Sequence, residues 1–201
     1  MAEFAGAVTA VEVSPEIVPA DLPSNVDVVI SDGVSVPVAP GSADLVYSNQ
    51  LMEHLHPDDA IDQLRGIVAA LRPGGRYICI TPNRLTGPHD ISAAFDDRPR
   101  GFHLREYSYR ELRSMFADAG FRGTHVVERA QGRSFGRLAD LVAGIDAERA
   151  RGFRRWGDRA MTLPLAPYLL GERLVERLPR NGRDLRVVRR MLDTIRVVAE
   201  R

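Results

Sequence analysis

The chain has 201 residues, of which 44% are apolar and 27% charged, and its formal net charge is zero; this is enough apolar sequence for a packed core and excludes global disorder. The single cysteine excludes an internal disulfide and fits a reducing compartment. No segment has the basic leader of a signal peptide or the ~20 apolar residues of a membrane span, so we expect a cytoplasmic protein.

The first predicted element is a β-branched strand over residues 7–13 that carries an acid, Glu12, at its end. The following Ser14-Pro15-Glu16 predicts a helix start, with serine as N-cap and proline in the first turn. Strand, carboxylate and helix in this order are how α/β folds bind the hydroxyls of a ribose. Glu12 either has this role or only ends the strand.

The second and third predicted strands both end in polar residues. Residues 26–30 are followed by Asp32-Gly33, which suits a turn close to a ligand and equally suits an ordinary turn. Residues 43–47 are an apolar run followed by a polar cluster, and ligands bind beyond the carboxyl ends of strands in open α/β sheets. This cluster is therefore a candidate site. Its members are Asn49, Gln50, Glu53 and His54.

The next elements continue the alternation of helix and strand. Residues 85–104 have no clear period and predict a long loop over the site. Strands alternating with helices at this interval indicate a parallel sheet covered on both faces. The remaining predicted elements are a helix over residues 57–71, a strand over 77–80, a helix over 107–119 closed by Gly120, and a strand over 124–128.

The C-terminal part is rich in arginine. The first 132 residues hold 11 arginines against 18 acidic residues, and the rest hold 16 arginines against 9. Apolar residues recur at helical spacing over 138–145 and 185–198, which predicts amphipathic helices. We expect residues 1–131 to form one domain and residues 132–201 a helical extension. The extension either packs on the domain with its arginines in water or binds anionic lipid headgroups or phosphates.

Five motifs, in this order and spacing, are similar to those of class I S-adenosylmethionine-dependent methyltransferases over roughly residues 5–130. The resemblance is closest to the type 11 group, which contains ubiquinone-biosynthesis and sugar or lipid O-methyltransferases. It implies an α/β Rossmann-like methyltransferase fold. The motifs are residues 11–16, 32–33, 44–49 with 53–55, 71–75 and 81–84.

The resemblance implies S-adenosylmethionine as the cofactor. Glu12 would bind the ribose hydroxyls, and Asp32 would accept from the adenine amino group. Asn49 and Gln50 would lie near the methionine part and the transferred methyl. The implied cofactor-binding residues are Glu12, Val13, Asp32, Gly33, Asn49 and Gln50.

The residues before Glu12 depart from the family pattern, which opens with a central strand and a Gly-rich turn that binds the methionine end of the cofactor. On this resemblance we expect an N-terminally truncated domain. The strands that carry Glu12 and Asn49 would then lack the partner between them. They would either pair directly or leave backbone groups unpaired, at about 1–3 kcal/mol for each buried group.

Methyl transfer is an in-line displacement, for which the protein mainly supplies alignment and desolvation. An oxygen nucleophile also benefits from a general base. His54 is the first candidate, because a neutral imidazole takes a proton near pH 7, and His103 is the second. Alternatively, His54 only packs and hydrogen-bonds a backbone carbonyl. Glu53 and His54 are expected to face different directions, so we expect no metal site.

These observations predict an S-adenosylmethionine-dependent methyltransferase acting on a hydroxyl of a small molecule, a sugar or a lipid-linked intermediate, without a nucleic-acid partner. Four loop arginines are candidates for holding an anionic substrate or are solvated charges. The alternative function is a catalytically inactive, methyltransferase-like binding module. A nicotinamide-dependent Rossmann enzyme would share Glu12 but leaves Asn49-Gln50 and Glu53-His54 without a role. The four arginines are Arg84, Arg98, Arg100 and Arg105.

Overall fold

The structure, a computed structural model, describes residues 2–3, 5–126, 172, 175–177 and 194–201. These residues fall into two compact units, of which the first holds the described residues up to Val38 and the second those from Ala39 on. No helix within these ranges combines the length and the apolar character that crossing a bilayer requires.

The first unit is a pair of parallel strands. β1 (Val8–Glu12) pairs with β2 (Val26–Ile30) along its whole length, which confirms both predicted strands. A 3-10 helix, Pro15–Ile17, follows β1 with Ser14 as its N-cap and Pro15 in its first turn, which confirms the predicted helix start, but this helix ends after three residues. Pro19 and Pro23 follow within a few residues, and proline both removes an N–H and disfavours helical conformation in the residue before it.

The second unit is built on a four-stranded sheet in the order β3-β4-β6-β5. β3 (Ala43–Asn49) and β4 (Leu71–Pro82) are parallel, whereas β6 (Thr194–Glu200) runs antiparallel to both β4 and β5 (Gly123–Val126). This confirms the predicted third, fourth and late strands. Cys79 in β4 is buried, and burial raises the pKa of its thiol to about 12, so it is not a thiolate at neutral pH.

The strands that carry Glu12 and Asn49 belong to different units. Within the described ranges, β1 pairs with β2 in the first unit, and β3 pairs with β4 in the second. Direct pairing of β1 with β3, one of the two alternatives expected from the sequence, stays a prediction.

Two helices pack on the second sheet, as predicted. α1 (Pro57–Ala70) begins with a proline in its first turn, and α2 (Tyr109–Ala119) begins with a capping box between Ser108 and Glu111. Gly120 ends α2 with a φ of 107°, a left-handed conformation that glycine adopts without a steric penalty. The apolar residues on their buried faces include Ala60, Leu64, Ile67, Leu112 and Phe116.

The strand β6 corrects the prediction for the end of the chain. The apolar spacing predicts a helix over residues 185–198, but Thr194–Glu200 is a strand. Its buried residues, Ile195, Val197 and Ala199, are each 0% exposed and alternate with the period of two of a strand. The β-branched residues of this segment favour that conformation. Residues 138–145 and 185–193 of the predicted extension lie outside the described residues.

Candidate functional site

The chain turns sharply where β3 ends. Asn49 is the last residue of β3, and Gln50 follows with a φ of 56°; a left-handed conformation costs a residue other than glycine on the order of 1–3 kcal/mol. The Gln50 N–H donates to the carbonyl of Ile80 in β4 at 2.8 Å. Both predicted side chains are exposed at the carboxyl end of β3, where α/β sheets bind ligands.

A short 3-10 helix, Met52–His54, follows this turn. Glu53 is fully buried, whereas His54 is exposed. The backbone carbonyl of Glu53 accepts from the N–H of Leu104 at 2.8 Å and from the N–H of Arg105 at 3.2 Å. These two bonds fasten the end of the long loop predicted over residues 85–104 to the 3-10 helix.

The fastened loop brings the two predicted catalytic histidines together. The ring centroids of His54 and His103 are 5.1 Å apart, with an interplanar angle of 80°. Nδ1 of His54 lies 2.9 Å from the carbonyl oxygen of Phe102, and a carbonyl only accepts, so this nitrogen is the donor. A hydrogen bond to a backbone carbonyl is what we expect if His54 has only a packing role. Because this bond uses Nδ1 and leaves Nε2 open, it is equally compatible with a role of His54 as a general base.

Glu106 anchors the second histidine. It is 2% exposed, and its carboxylate lies 2.8 Å from Nδ1 of His103. It also accepts from the backbone N–H of His89 at 2.6 Å. Burial alone would raise the pKa of Glu106, but the hydrogen bonds from His89 and His103 outweigh it and lower that pKa. Glu106 is not among the residues predicted from the sequence, where its only signal is an acid three residues after a histidine.

The side chain of Glu53 lies close to those of His54 and His103. Its Oε2 accepts from the hydroxyl of Thr81 at 2.8 Å. One donor atom from each of Glu53, His54 and His103 lies within 4.8 Å of the others. The donor atoms of Glu53 and His54 thus lie close together, although the Glu53 side chain is buried and the His54 side chain is exposed. Divergence of neighbouring side chains holds on a regular α-helix, whereas this helix has three residues and its flanking residues are not helical.

In the first unit, the predicted residues lie together at the ends of β1 and β2. The Ser31 N–H donates to the carbonyl of Glu12 at 2.8 Å, and the Glu12 side chain has no hydrogen-bond partner in the described part of this chain. Val13 is 59% exposed. Gly33 has a φ of 90°, and a Cβ there would lie 3.4 Å from Cγ1 of Val13.

Asp32 shapes the turn after β2. Its Oδ1 accepts from the N–H of Ser35 at 2.6 Å and from the N–H of Val34 at 2.9 Å. These bonds, led by that from Ser35, lower the pKa of Asp32 to about 2. The ordinary-turn interpretation thus accounts for these contacts. A carboxylate offers about four acceptor positions, so binding of an adenine amino group stays a prediction.

Three of the four loop arginines predicted to hold an anionic substrate pair with carboxylates of the protein. Nε of Arg84 lies 2.7 Å from Oε2 of Glu111, and Nη2 of Arg84 lies 3.1 Å from Oε1 of Glu176. Arg84 and Arg105 thus connect the loop to Glu111 of α2, and binding of an anionic substrate stays a prediction. The other two pairs are Arg100 with Asp96 and Arg105 with Glu111.

A family model described as a methyltransferase domain matches residues 1–126. The chain belongs to this methyltransferase family. Proteins of Mycolicibacterium smegmatis and Mycobacterium tuberculosis, each named as a probable S-adenosylmethionine-dependent methyltransferase, are 33% and 34% identical to it over 96 residues, or 48% of this chain. The aligned part is 35% and 33% of those proteins, so this methyltransferase chain spans about a third of the length of the curated relatives it matches.

Solved structures support the same fold. A methyltransferase from Mesorhizobium loti has a TM-score of 0.53 at 14% identity, over 98% of this chain and 81% of that one. A protein of Haloferax volcanii, solved in complex with the Trm112 methyltransferase activator, has a TM-score of 0.54 at 18% identity, over 97% and 72%. These likenesses concern the fold alone, and they confirm the predicted α/β Rossmann-like methyltransferase fold.

Proposed function

We propose that this protein is an S-adenosylmethionine-dependent methyltransferase acting on a hydroxyl of a small molecule, a sugar or a lipid-linked intermediate. Family membership and the names of the mycobacterial relatives support the cofactor and the reaction. The observation that carries the proposal is the turn after β3, where Asn49 and Gln50 precede the pair of His54 and His103. The hydroxyl acceptor rests on the resemblance to O-methyltransferases.

The residues of the first unit fit the nucleoside part of the cofactor. Glu12 carries a carboxylate at a strand end, which suits two ribose hydroxyls as donors. The positive φ of Gly33 and its lack of a side chain permit close approach of a flat ring, with Val13 as an exposed apolar neighbour. Asp32 would accept from the adenine amino group. When bound, S-adenosylmethionine supplies a methyl group on a sulfonium.

In the second unit, the proposed roles concern the methionine part and the acceptor. Asn49 and Gln50 would offer amide donors and acceptors to the methionine part. His54, whose Nδ1 is already a donor to Phe102, would take the proton of the acceptor hydroxyl on Nε2. His103 is the second candidate for this role, and Glu106 would orient its ring.

Calorimetric titration with S-adenosylmethionine tests the proposal. Glu12→Ala is expected to weaken binding about 10- to 100-fold, because a hydrogen bond to a charged group contributes about 1.5–3 kcal/mol. Asp27→Ala is the matched control, since it removes an exposed carboxylate from β2 and should leave the affinity unchanged. Absence of binding to the wild type would overturn the enzyme proposal and favour the inactive binding module; equal affinities of the two variants would remove Glu12 from the site.

The binding partners and the cellular location of this protein are also proposals. The Haloferax protein is solved with an activator protein, and on that likeness we propose a protein partner for this chain, which pull-down with the tagged protein would test. Contact of the Arg-rich tail with anionic lipid concerns residues outside the described ranges. It stays a prediction, as does the cytoplasmic location.

A further inference from the structure

Glu53, His54 and His103 bring two imidazoles and one carboxylate together beside the end of β3. Their donor atoms lie within 4.8 Å of one another. Donor atoms that share one tetrahedral zinc ion lie about 3.3 Å apart, given bonds of about 2.0–2.1 Å, so side-chain rotations would bring the three donors onto one ion. We infer that this cluster binds a divalent transition-metal ion.

The hydrogen bonds of the two rings select the nitrogens that would bind the ion. Nδ1 of His54 donates to a carbonyl oxygen at 2.9 Å, and Nδ1 of His103 lies 2.8 Å from the carboxylate of Glu106. In each neutral ring the lone pair is then on Nε2, which is the atom that ligates a metal. A carbonyl or carboxylate behind the histidine is the usual outer partner of a metal-binding imidazole.

The third ligand is a buried oxygen without a partner. Glu53 is 0% exposed, and its Oε1 makes no hydrogen bond with the part of the chain that is described. Its Oε2 is held by the Thr81 hydroxyl at 2.8 Å, which fixes the carboxylate. An ionised carboxylate that is buried without a partner is strongly unfavourable. A cation next to Oε1 would supply the missing partner.

The donor set selects the kind of ion. Two imidazole nitrogens and one carboxylate oxygen suit Zn²⁺, Fe²⁺, Co²⁺ or Mn²⁺, whereas Mg²⁺ and Ca²⁺ prefer oxygen ligands. Three protein ligands leave a coordination position open, as in catalytic zinc sites. His54 is the exposed member of the set, whereas Glu53 and His103 are buried.

An ion here changes the part that His54 plays. The Nε2 lone pair of His54 cannot bind a metal and accept a proton at the same time, so the base role and the ligand role exclude each other. With the ion bound, the acceptor hydroxyl would occupy the open position, and the ion would favour its ionised form. This last step rests on the proposed methyltransferase function, whereas binding of the ion does not.

The test is binding of Zn²⁺ to the full chain without any cofactor, measured by calorimetry, together with the visible absorption of the Co²⁺ form. We expect one ion per chain. His54→Ala, His103→Ala and Glu53→Gln should each weaken Zn²⁺ binding at least 10-fold. His56→Asn is the matched control: it removes a neighbouring exposed imidazole and keeps a residue that can cap α1, so the affinity should stay unchanged.

Two results would overturn the inference: no Zn²⁺ binding by the wild type, or binding that His54→Ala weakens no more than His56→Asn does. His54 is exposed, so its substitution is the variant least prone to disturb folding, and circular dichroism checks this. Nitrogen NMR of the wild-type imidazoles gives a second readout without any variant, since Zn²⁺ should shift Nε2 of two histidines. Titration with S-adenosylmethionine is a separate measurement, so failure of the proposed function and failure of the metal site are distinguishable.

Discussion

Two histidines that are far apart in the sequence meet because the long loop folds back onto the 3-10 helix Met52–His54. The sequence offers His54 and His103 as candidate bases because a neutral imidazole takes a proton near pH 7, and the structure brings their rings together. The sequence places Glu53 in the polar cluster after β3, but the closeness of its carboxylate to both histidines was not predictable from the sequence. It depends on a three-residue helix and on two backbone hydrogen bonds from the loop to the Glu53 carbonyl, neither of which leaves a periodic pattern.

The substitution His54→Ala is expected to lower the turnover of the proposed reaction at least about 100-fold, because a general base usually contributes this much. The affinity for S-adenosylmethionine should stay within a factor of a few, because the nucleoside is assigned to other residues. Single-turnover kinetics with a labelled methyl group measures the first quantity and calorimetry the second. With His56→Asn as the reference, an unchanged rate in His54→Ala would remove His54 from the chemistry.

The start of α2 is held by one carboxylate with several partners. Glu111 accepts from the Ser108 N–H at 2.7 Å and pairs with Arg84 at 2.7 Å. Burial alone would raise the pKa of Glu111, but the hydrogen bonds from Ser108 and Arg84 outweigh it and lower that pKa below its ordinary 4.5. A lowered folded-state pKa contributes stability that is present above the unfolded-state value and lost as the pH falls through the folded-state value.

Glu111→Gln is therefore expected to lower the free energy of unfolding by about 1–2 kcal/mol at pH 7. The difference from the wild type should shrink as the pH falls from about 4.5 through the lower folded-state pKa, because the unfolded wild type takes up a proton at Glu111 before the folded wild type does. Urea unfolding at a series of pH values measures this. Asp118→Asn is the control: it removes an exposed acid at the other end of α2, where a negative charge is unfavourable, and should cost nothing. A constant difference down to pH 3 would contradict the assignment.

Two substitutions in β6 distinguish the strand pattern of its sequence from the helical pattern. In the strand, Val197 is buried and Val198 is partly exposed, whereas the helical stripe would bury Val198. Val197→Ala is expected to cost about 1.5–3 kcal/mol and Val198→Ala less than about 1 kcal/mol. Denaturant titration of the two variants measures both. A larger loss for Val198→Ala would favour the helix.

The success of prediction differs between elements for physical reasons. Residues 26–30 and 43–49 and the two long helices have one dominant pattern and clear end signals, such as Gly120. Ser14-Pro15 has the signal of a helix start without the sequence to continue it. Residues 194–200 fit both a helix and a strand pattern, and pairing with β4 and β5 decides between them.

On the scale of the whole molecule, the sheet of the second unit depends on a strand from the far end of the chain. β6 lies between β4 and β5 and hydrogen-bonds to both. Removal of residues 194–201 would leave β5 without a neighbouring strand in the described part of the sheet and would open one edge of β4. Such a variant is expected to lose cooperative unfolding, which calorimetry measures. Addition of a peptide with residues 194–201 should restore part of the transition; an unchanged transition without it would contradict the role of β6.

The position of β6 also has a consequence for synthesis on the ribosome. At about 5–20 residues per second, roughly 3 to 14 seconds separate the translation of Val126 from that of Thr194. During this interval the nascent chain presents the edges of β4 and β5 that β6 later covers, and open strand edges promote association with other chains. The nascent protein should therefore be a chaperone client until β6 is released from the ribosome.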